Sequence, residues 1–243
     1  MTNFALVNFD DHQDLRVITE RSARYGDAVS YALTFPFEFR SVQACYPILL
    51  HQDDGGELLP VALFGFEQGE NLFLDDSGWD AAYVPAMIRR EPFLIGYQGS
   101  EIQKDEEKAR VLSIDMDHPR VNKEDGEPLF LPLGGRSDYL EYTASLLEQI
   151  YEGLLHSKDF VAALKEHDLI EAATFNITLA DGSENQLLGF HVLDEDKVRE
   201  LSGDVLDSFN KQGFLMPMFM MLASVSNIRG LIDRKTRKEF AAK

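Results

Sequence analysis

Three groups of side chains in this 243-residue chain have types and spacings that could support chemistry. The first is Asp115, Asp117 and His118. Two carboxylates alternating at the end of an extended segment, with an imidazole next to them, can hold a hard divalent cation or act as an acid–base set. The plainer reading is an acidic strand end in a chain that is acidic throughout, with Pro119 opening a turn. The second group is Trp79, Tyr83, Arg89 and Arg90. Guanidinium planes beside aromatic rings suit recognition of a carboxylate or an aromatic ligand, through paired hydrogen bonds and cation–π contact. The plainer reading pairs an arginine with Asp75, Asp76 or Glu91 and puts Trp79 in the core. The third is Cys45, whose neighbours supply no base to activate a thiolate.

Many classes are excluded. The chain contains no GxGxxG, GxxxxGK[ST], GxSxG or HExxH motif, and a single cysteine precludes a multi-cysteine zinc or iron–sulfur site. The six histidines are scattered without ligand spacing. No cofactor is expected. A net charge of −19 and an isoelectric point near 4.6 argue against nucleic acid and against anionic membrane surfaces, which require clustered Lys and Arg. The one basic segment, Arg229 to Lys238, reads as cations complementing the carbonyl end of a C-terminal helix. One cysteine makes no internal disulfide, and its apolar surroundings predict a buried thiol in a reducing compartment. The N-terminal residues show neither a basic n-region nor a long apolar run, and Phe214 to Ala223 falls short of the roughly 20 residues of a membrane span. The expectation is a cytoplasmic protein without membrane insertion.

These groups need elements to position them. Residues 1–30 show no clean period and read as an extended arm. Phe35, Phe37 and Phe39 alternate with polar residues or proline as in a half-buried strand, with Pro36 confining it to an edge. Tyr46 to Leu50 and Leu58 to Phe66 flank the Asp53–Gly56 turn as a hairpin. Within Asp75 to Phe93, Trp79, Tyr83 and Met87 recur every four residues, predicting a short helix interrupted by Pro85 and ended by Pro92. Strands follow at Phe93 to Tyr97 and Ala109 to Ile114, separated by a charged loop. Ser137 caps a helix, and Ser157 a second one. Ile170 to Leu179 and Gln186 to Val192 form a hairpin across Asp181-Gly182. Helices within Glu195 to Gln212, with a break at Gly203, and from about Pro217 to Arg234 close the chain. Strands in blocks and helices in blocks predict an α+β fold, an antiparallel meander followed by helices and a further hairpin.

The segments YPILL (Tyr46 to Leu50), PVALFGFEQGENLFL (Pro60 to Leu74), W-x3-YVPAMIRREPF (Trp79 to Phe93), LSIDMDHPRV (Leu112 to Val121), LLGFHVLDEDKVREL (Leu187 to Leu201) and the closing FLMPMFMMLASVSNIRGLIDRK are similar to the SapC family of bacterial proteins. The resemblance runs from about Leu6 to Lys235 and implies a single family-length domain over residues 1–243, with an internal sub-boundary near 116–136. It carries over no catalytic residue. The family takes its name from surface-layer protein loci, and its members are often encoded beside tryptophan-halogenase-like flavoproteins and outer-membrane receptors, so the resemblance implies an accessory role in a small-molecule or peptide pathway.

Two functional readings follow. The leading one is a non-catalytic cytoplasmic accessory or binding protein for a small molecule, peptide or partner protein, with Trp79, Tyr83, Arg89 and Arg90 on its binding surface. The alternative is a metal- or carboxylate-dependent enzyme using Asp115, Asp117 and His118. Met216, Met218, Met220 and Met221 suit a flexible partner groove or a homodimer through the C-terminal helix, and the plainer reading packs them in the core.

Overall fold

The structure, a computed structural model, describes residues 3–53, 55–98, 109–178 and 184–241. Its strands are β1 (Phe4–Leu6), β2 (Arg16–Val17), β3 (Tyr31–Leu33), β4 (Ile48–Gln52), β5 (Leu58–Leu63), β6 (Leu74–Asp75), β7 (Gly78–Trp79), β8 (Phe93–Gln98), β9 (Ala109–Asp115), β10 (Val121–Asn122), β11 (Glu127–Pro128), β12 (Ile170–Thr178) and β13 (Glu184–Leu193). Its helices are α1 (Phe9–His12), α2 (Phe39–Val42), α3 (Ala86–Arg89), α4 (Asp138–Glu166), α5 (Glu195–Arg199), α6 (Gly203–Lys211), α7 (Leu215–Ser224) and α8 (Asn227–Ala241). The pairing is antiparallel throughout, with the strands gathered in sheets and the long helices elsewhere in the chain, so the fold is α+β.

The chain forms two compact units, each assembled from two segments. The first comprises Met1–Asp27 and Ile88–Tyr151, so residues 116–136 lie inside it. Its sheet has the order β1-β9-β8, and the small ladder β10-β2-β11 takes its central strand from the chain's N-terminal segment. Leu15, Val17, Phe93, Ile114, Leu129, Leu140 and Leu147 form its core. The N-terminal residues are thus not merely an arm: β1 pairs with β9, and Leu15 and Val17 are core side chains. β1 has three residues and β2 only two, too few for either to announce itself by periodicity.

The second unit comprises Ala28–Met87 and Glu152–Lys243. Its five-stranded sheet has the order β12-β13-β4-β5-β3. The hairpins expected around Asp53–Gly56 and between β12 and β13 both form; Asp181-Gly182, like the charged loop Glu101–Lys108, lies outside the described residues. Ile48, Leu49 and Leu50 are all buried, as a central strand covered on both faces requires. Ser224 at the end of α7 fixes that helix to β4, its hydroxyl accepting from the Ile48 amide (2.8 Å) and donating to Met221 O (2.6 Å).

Several sequence expectations are corrected. Phe35 to Phe39 is not a strand: the chain turns at Phe35 and enters α2, and the Phe35 and Phe37 rings stack at 5.7 Å over Gly153, where a Cβ would stand 2.8 Å from Phe37. Pro36 and the buried Glu38 side chain favour the turn over a ladder. Ser157 does not start a second helix, because apolar spacing continues through Phe160, Val161 and Leu164 and keeps α4 unbroken with Ser157 buried. Asp75 to Phe93 begins as the tight hairpin β6–β7, leaving only α3 helical. The closing helix is interrupted between α7 and α8, at Val225 and Ser226. By length and composition alone, and counted across the turn at Val225 and Ser226, Leu215–Phe240 is long and apolar enough to cross a membrane, a test that the core helix of a soluble protein also passes. In this unit Met218 and Met221 of α7 are core side chains, while Met216 and Phe219 are exposed.

Candidate functional site

Within the second unit, a buried carboxylate begins a chain of hydrogen bonds that ends at the only tryptophan. Glu38, 3% exposed, accepts from Thr34 Oγ1, Tyr83 Oη and the Ala86 amide, each at 2.8 Å. Tyr46 Oη donates to Tyr83 O and accepts from Trp79 Nε1 at 2.7 Å. Burial pushes the Tyr46 phenol well above the ordinary tyrosine range, so it stays a neutral donor. Phe64 packs edge-on against the Trp79 ring at 5.2 Å. The indole is therefore held at its nitrogen and along one edge, and the rest of the ring borders a cavity of about 450 Å³.

The opposite wall of that cavity is α8. Asn227, Gly230, Leu231 and Arg234 recur at i, i+3, i+4 and i+7, which places them on one helical face. Asn227 Nδ2 ties the helix start to Gln43 O (2.7 Å) and Tyr46 O (3.1 Å). Arg234 Nη1 donates to Asp80 Oδ2 at 2.7 Å, Nη2 to Asp80 O at 3.1 Å, and its guanidinium lies 4.4 Å from the Phe73 ring centre. The adjacent Lys235 Nζ pairs with Glu67 (2.7 Å) and Glu70 (2.6 Å), and one turn beyond Arg234 the Lys238 Nζ donates to Asn71 O and Leu74 O. For Lys235 desolvation is the largest effect and lowers the pKa, but the bonds to Glu67 and Glu70 together outweigh it and hold the ammonium above its usual value. The basic segment Arg229 to Lys238 thus clamps residues 67–80 and so fixes the loop that carries Trp79. Cys45, the only cysteine, also borders the cavity and is partly exposed, where a buried thiol was expected.

Of the candidates read from the sequence, Trp79 and Tyr83 fall in this second unit, and Arg89 and Arg90 in the first. Tyr83 gives its hydroxyl to Glu38. Arg89 Nη1 donates to Tyr142 Oη, while Arg90 donates to Phe93 O at 2.7 Å and pairs with Glu91 at 3.0 Å. Asp115, Asp117 and His118 sit at the end of β9 in the first unit. There Asp115 Oδ1 accepts from the Asp117 amide (3.1 Å), His118 Nδ1 accepts from the Arg120 amide (3.2 Å), and His118 Nε2 lies 3.8 Å from Glu91. Burial, the larger effect, lowers the His118 pKa against the pull of Glu91. Among the described residues no group of three or more His, Cys, Asp or Glu side chains has an arrangement that could hold a metal ion.

Beneath that strand end lies a buried ion pair that the sequence pattern does not single out. Arg120, 1% exposed, donates to Asp27 Oδ2 (2.6 Å), Ile18 O (2.8 Å) and Glu20 O (2.5 Å), and Asp27 also accepts from the Ser22 amide (2.7 Å) and Arg21 (3.4 Å). Its partners are backbone carbonyls and a carboxylate of the same unit, which makes it a strut for residues 18–27. The same unit has a groove of about 360 Å³ floored by Ile95, Leu112 and Leu147, in which Arg110 pairs with Glu148 (3.0 Å).

The family model for SapC matches residues 7–231. The chain belongs to the SapC family. No curated protein and no solved structure matches it. The span takes in Trp79, Glu38 and the first third of α8, up to Leu231, but ends before Arg234.

What sequence reasoning missed is the Arg234 wall. The signal was present in the i, i+3, i+4, i+7 spacing of Asn227, Gly230, Leu231 and Arg234, a polar and small-residue stripe inside a helix read mainly for its apolar first half. Asp80 and Cys45 carried no such mark.

Proposed function

We propose that this SapC-family chain is a non-catalytic, cytoplasmic accessory or binding protein, and that its ligand site is the 450 Å³ cavity bordered by Trp79, Cys45 and Arg234. The observation that carries the reading is the construction of that cavity. Its volume lies in the range of small-molecule sites, its walls combine two aromatic rings, small side chains and one guanidinium, and Trp79 is held by part-buried hydrogen bonds. Ala44, Ala81 and Gly230 leave space that a larger side chain would fill; a Cβ at Gly230 meets nothing within 4 Å. Trp79 is retained from the sequence-derived surface, Tyr83 positions it through Tyr46 and Glu38, and Arg234 supplies the cation next to it. The partly exposed thiol of Cys45 suits a reducing compartment. Family membership adds the expectation of an accessory role in a small-molecule or peptide pathway.

The sole tryptophan is a reporter within the site. A library of small aromatic fragments, screened by Trp79 emission, is expected to yield saturable responses that Gly230→Phe abolishes while the melting temperature is maintained. If no fragment distinguishes the two proteins, the cavity is not a ligand site.

A further inference from the structure

The charges on the cavity wall identify what kind of ligand it takes. This step rests on the cavity being the binding site. Among the described residues Arg234 is the cavity's one cation; it is about one quarter exposed, whereas its partner Asp80 is 61% exposed. The two ends of that ion pair are held very differently. The guanidinium has three anchors: the Asp80 carboxylate, the Asp80 backbone carbonyl and the Phe73 ring. Two of them remain if the Asp80 side chain swings away. For the Asp80 carboxylate, Arg234 is the only ion-pair partner among the described residues. Exposed ion pairs of this kind contribute little, because water competes well for the carboxylate. Arg234 is thus a fixed, preoriented cation with an easily displaced carboxylate on it.

We propose that Asp80 occupies an anion subsite in place of the ligand, and that the cavity takes a monocarboxylate with a flat apolar body. The ligand carboxylate replaces that of Asp80 on Arg234, where planar guanidinium geometry matches a carboxylate. Its body lies against Trp79 in the space left by Ala44, Ala81 and Gly230. A single negative charge is selected because one guanidinium can neutralise only one, and the displaced Asp80 remains nearby in a chain of net charge −19. A dianion such as a phosphate monoester meets an unbalanced charge there.

The test uses phenylacetate and its neutral counterpart phenylacetamide as probes on the full chain, with two readouts inside the cavity: Trp79 emission and the rate of Cys45 alkylation by iodoacetamide. The chain's only tryptophan and only cysteine both border the cavity, so neither signal has another source. Phenylacetate is expected to shift the emission and slow alkylation saturably, and phenylacetamide to bind about ten-fold more weakly. Asp80→Ala, at an exposed site, should tighten phenylacetate several-fold and leave phenylacetamide unchanged, because it removes the internal competitor. Arg234→Met should erase the preference for the acid. Equal binding of acid and amide, or an Asp80→Ala variant that binds the acid no better or less well, overturns the subsite while leaving the cavity as a ligand site. Failure of both probes to affect either readout overturns the subsite and the cavity together.

Discussion

Glu38 offers the sharpest quantitative test of how Trp79 is held. Glu38→Met removes the acceptor for three donors, two of them on fully buried residues, Thr34 and Ala86. A hydrogen bond to an ionised group contributes about 1.5–3 kcal/mol, and a buried donor left without a partner costs about 1–3 kcal/mol. Against that stands the carboxylate's own desolvation, which the substitution relieves, and the freedom of the Thr34 hydroxyl to rotate. The net loss should be about 3–5 kcal/mol, the range seen when one side of a buried charged network is removed. A domain typically has only about 5–15 kcal/mol to lose. Glu38→Gln keeps the shape but turns an amide NH2 toward at least one donor, for a loss of about 1–2 kcal/mol. Urea unfolding followed by Trp79 emission measures both, with the midpoint falling and the slope unchanged. In a double-mutant cycle, Glu38→Met and Tyr83→Phe should be less than additive by about 1 kcal/mol, since each removes the same 2.8 Å bond. A Glu38→Met loss below about 1 kcal/mol, or strict additivity with Tyr83→Phe, would refute the view that this carboxylate holds the segment behind Trp79.

Three further outcomes are expected. Asp27→Ala leaves the buried Arg120 guanidinium without its carboxylate and should cost about 3–5 kcal/mol, seen as faster amide exchange over residues 18–27, and Asp27→Leu combined with Arg120→Met should recover part of that loss. Burial lowers the pKa of His118 in the folded state, so as pH falls below about 6.5 the unfolded chain takes up a proton that the folded chain does not. Stability from this group is therefore present above that pH and lost on acidification through the folded value; denaturation midpoints between pH 7.5 and 5.5 should drop less in His118→Gln, and an equal drop would remove His118 as the source. If two chains associate through the Met-rich helix, they do so by Met216 and Phe219, the exposed side chains of α7; light scattering should then show a dimer that Met216→Ser with Phe219→Ser converts to monomer, and a wild-type monomer at micromolar concentration excludes the dimer.

Elements whose signals are local are legible in the sequence. The β4–β5 hairpin follows from apolar runs flanking Asp53–Gly56, the β12–β13 hairpin from its turn dipeptide, and the break between α5 and α6 from Gly203. Errors arise where long-range packing overrides a local pattern. The Phe35–Phe39 alternation is also compatible with a turn entering a helix, and the stacking of Phe35 and Phe37 over Gly153, more than a hundred residues away, decides for the turn. Trp79, Tyr83 and Met87 keep helical spacing, but Leu74 pairs with Trp79 in a hairpin.

The sequence by itself determined the α+β class, membership of the SapC family and the strong acidity, because composition, periodicity and family motifs are properties of neighbours along the chain. It also marked Trp79. Only the tertiary structure decided what Trp79 stands beside. Residues 44–45, 73–82 and 227–234 meet around one cavity, and the bonds that bring them together, from Asn227 to Tyr46 O and from Arg234 to Asp80, join positions 181 and 154 residues apart. No local pattern encodes such a pairing. It arises when burial of the surrounding core brings these polar groups within reach of partners from distant segments, and that packing set Arg234 on the wall of the cavity that Trp79 borders.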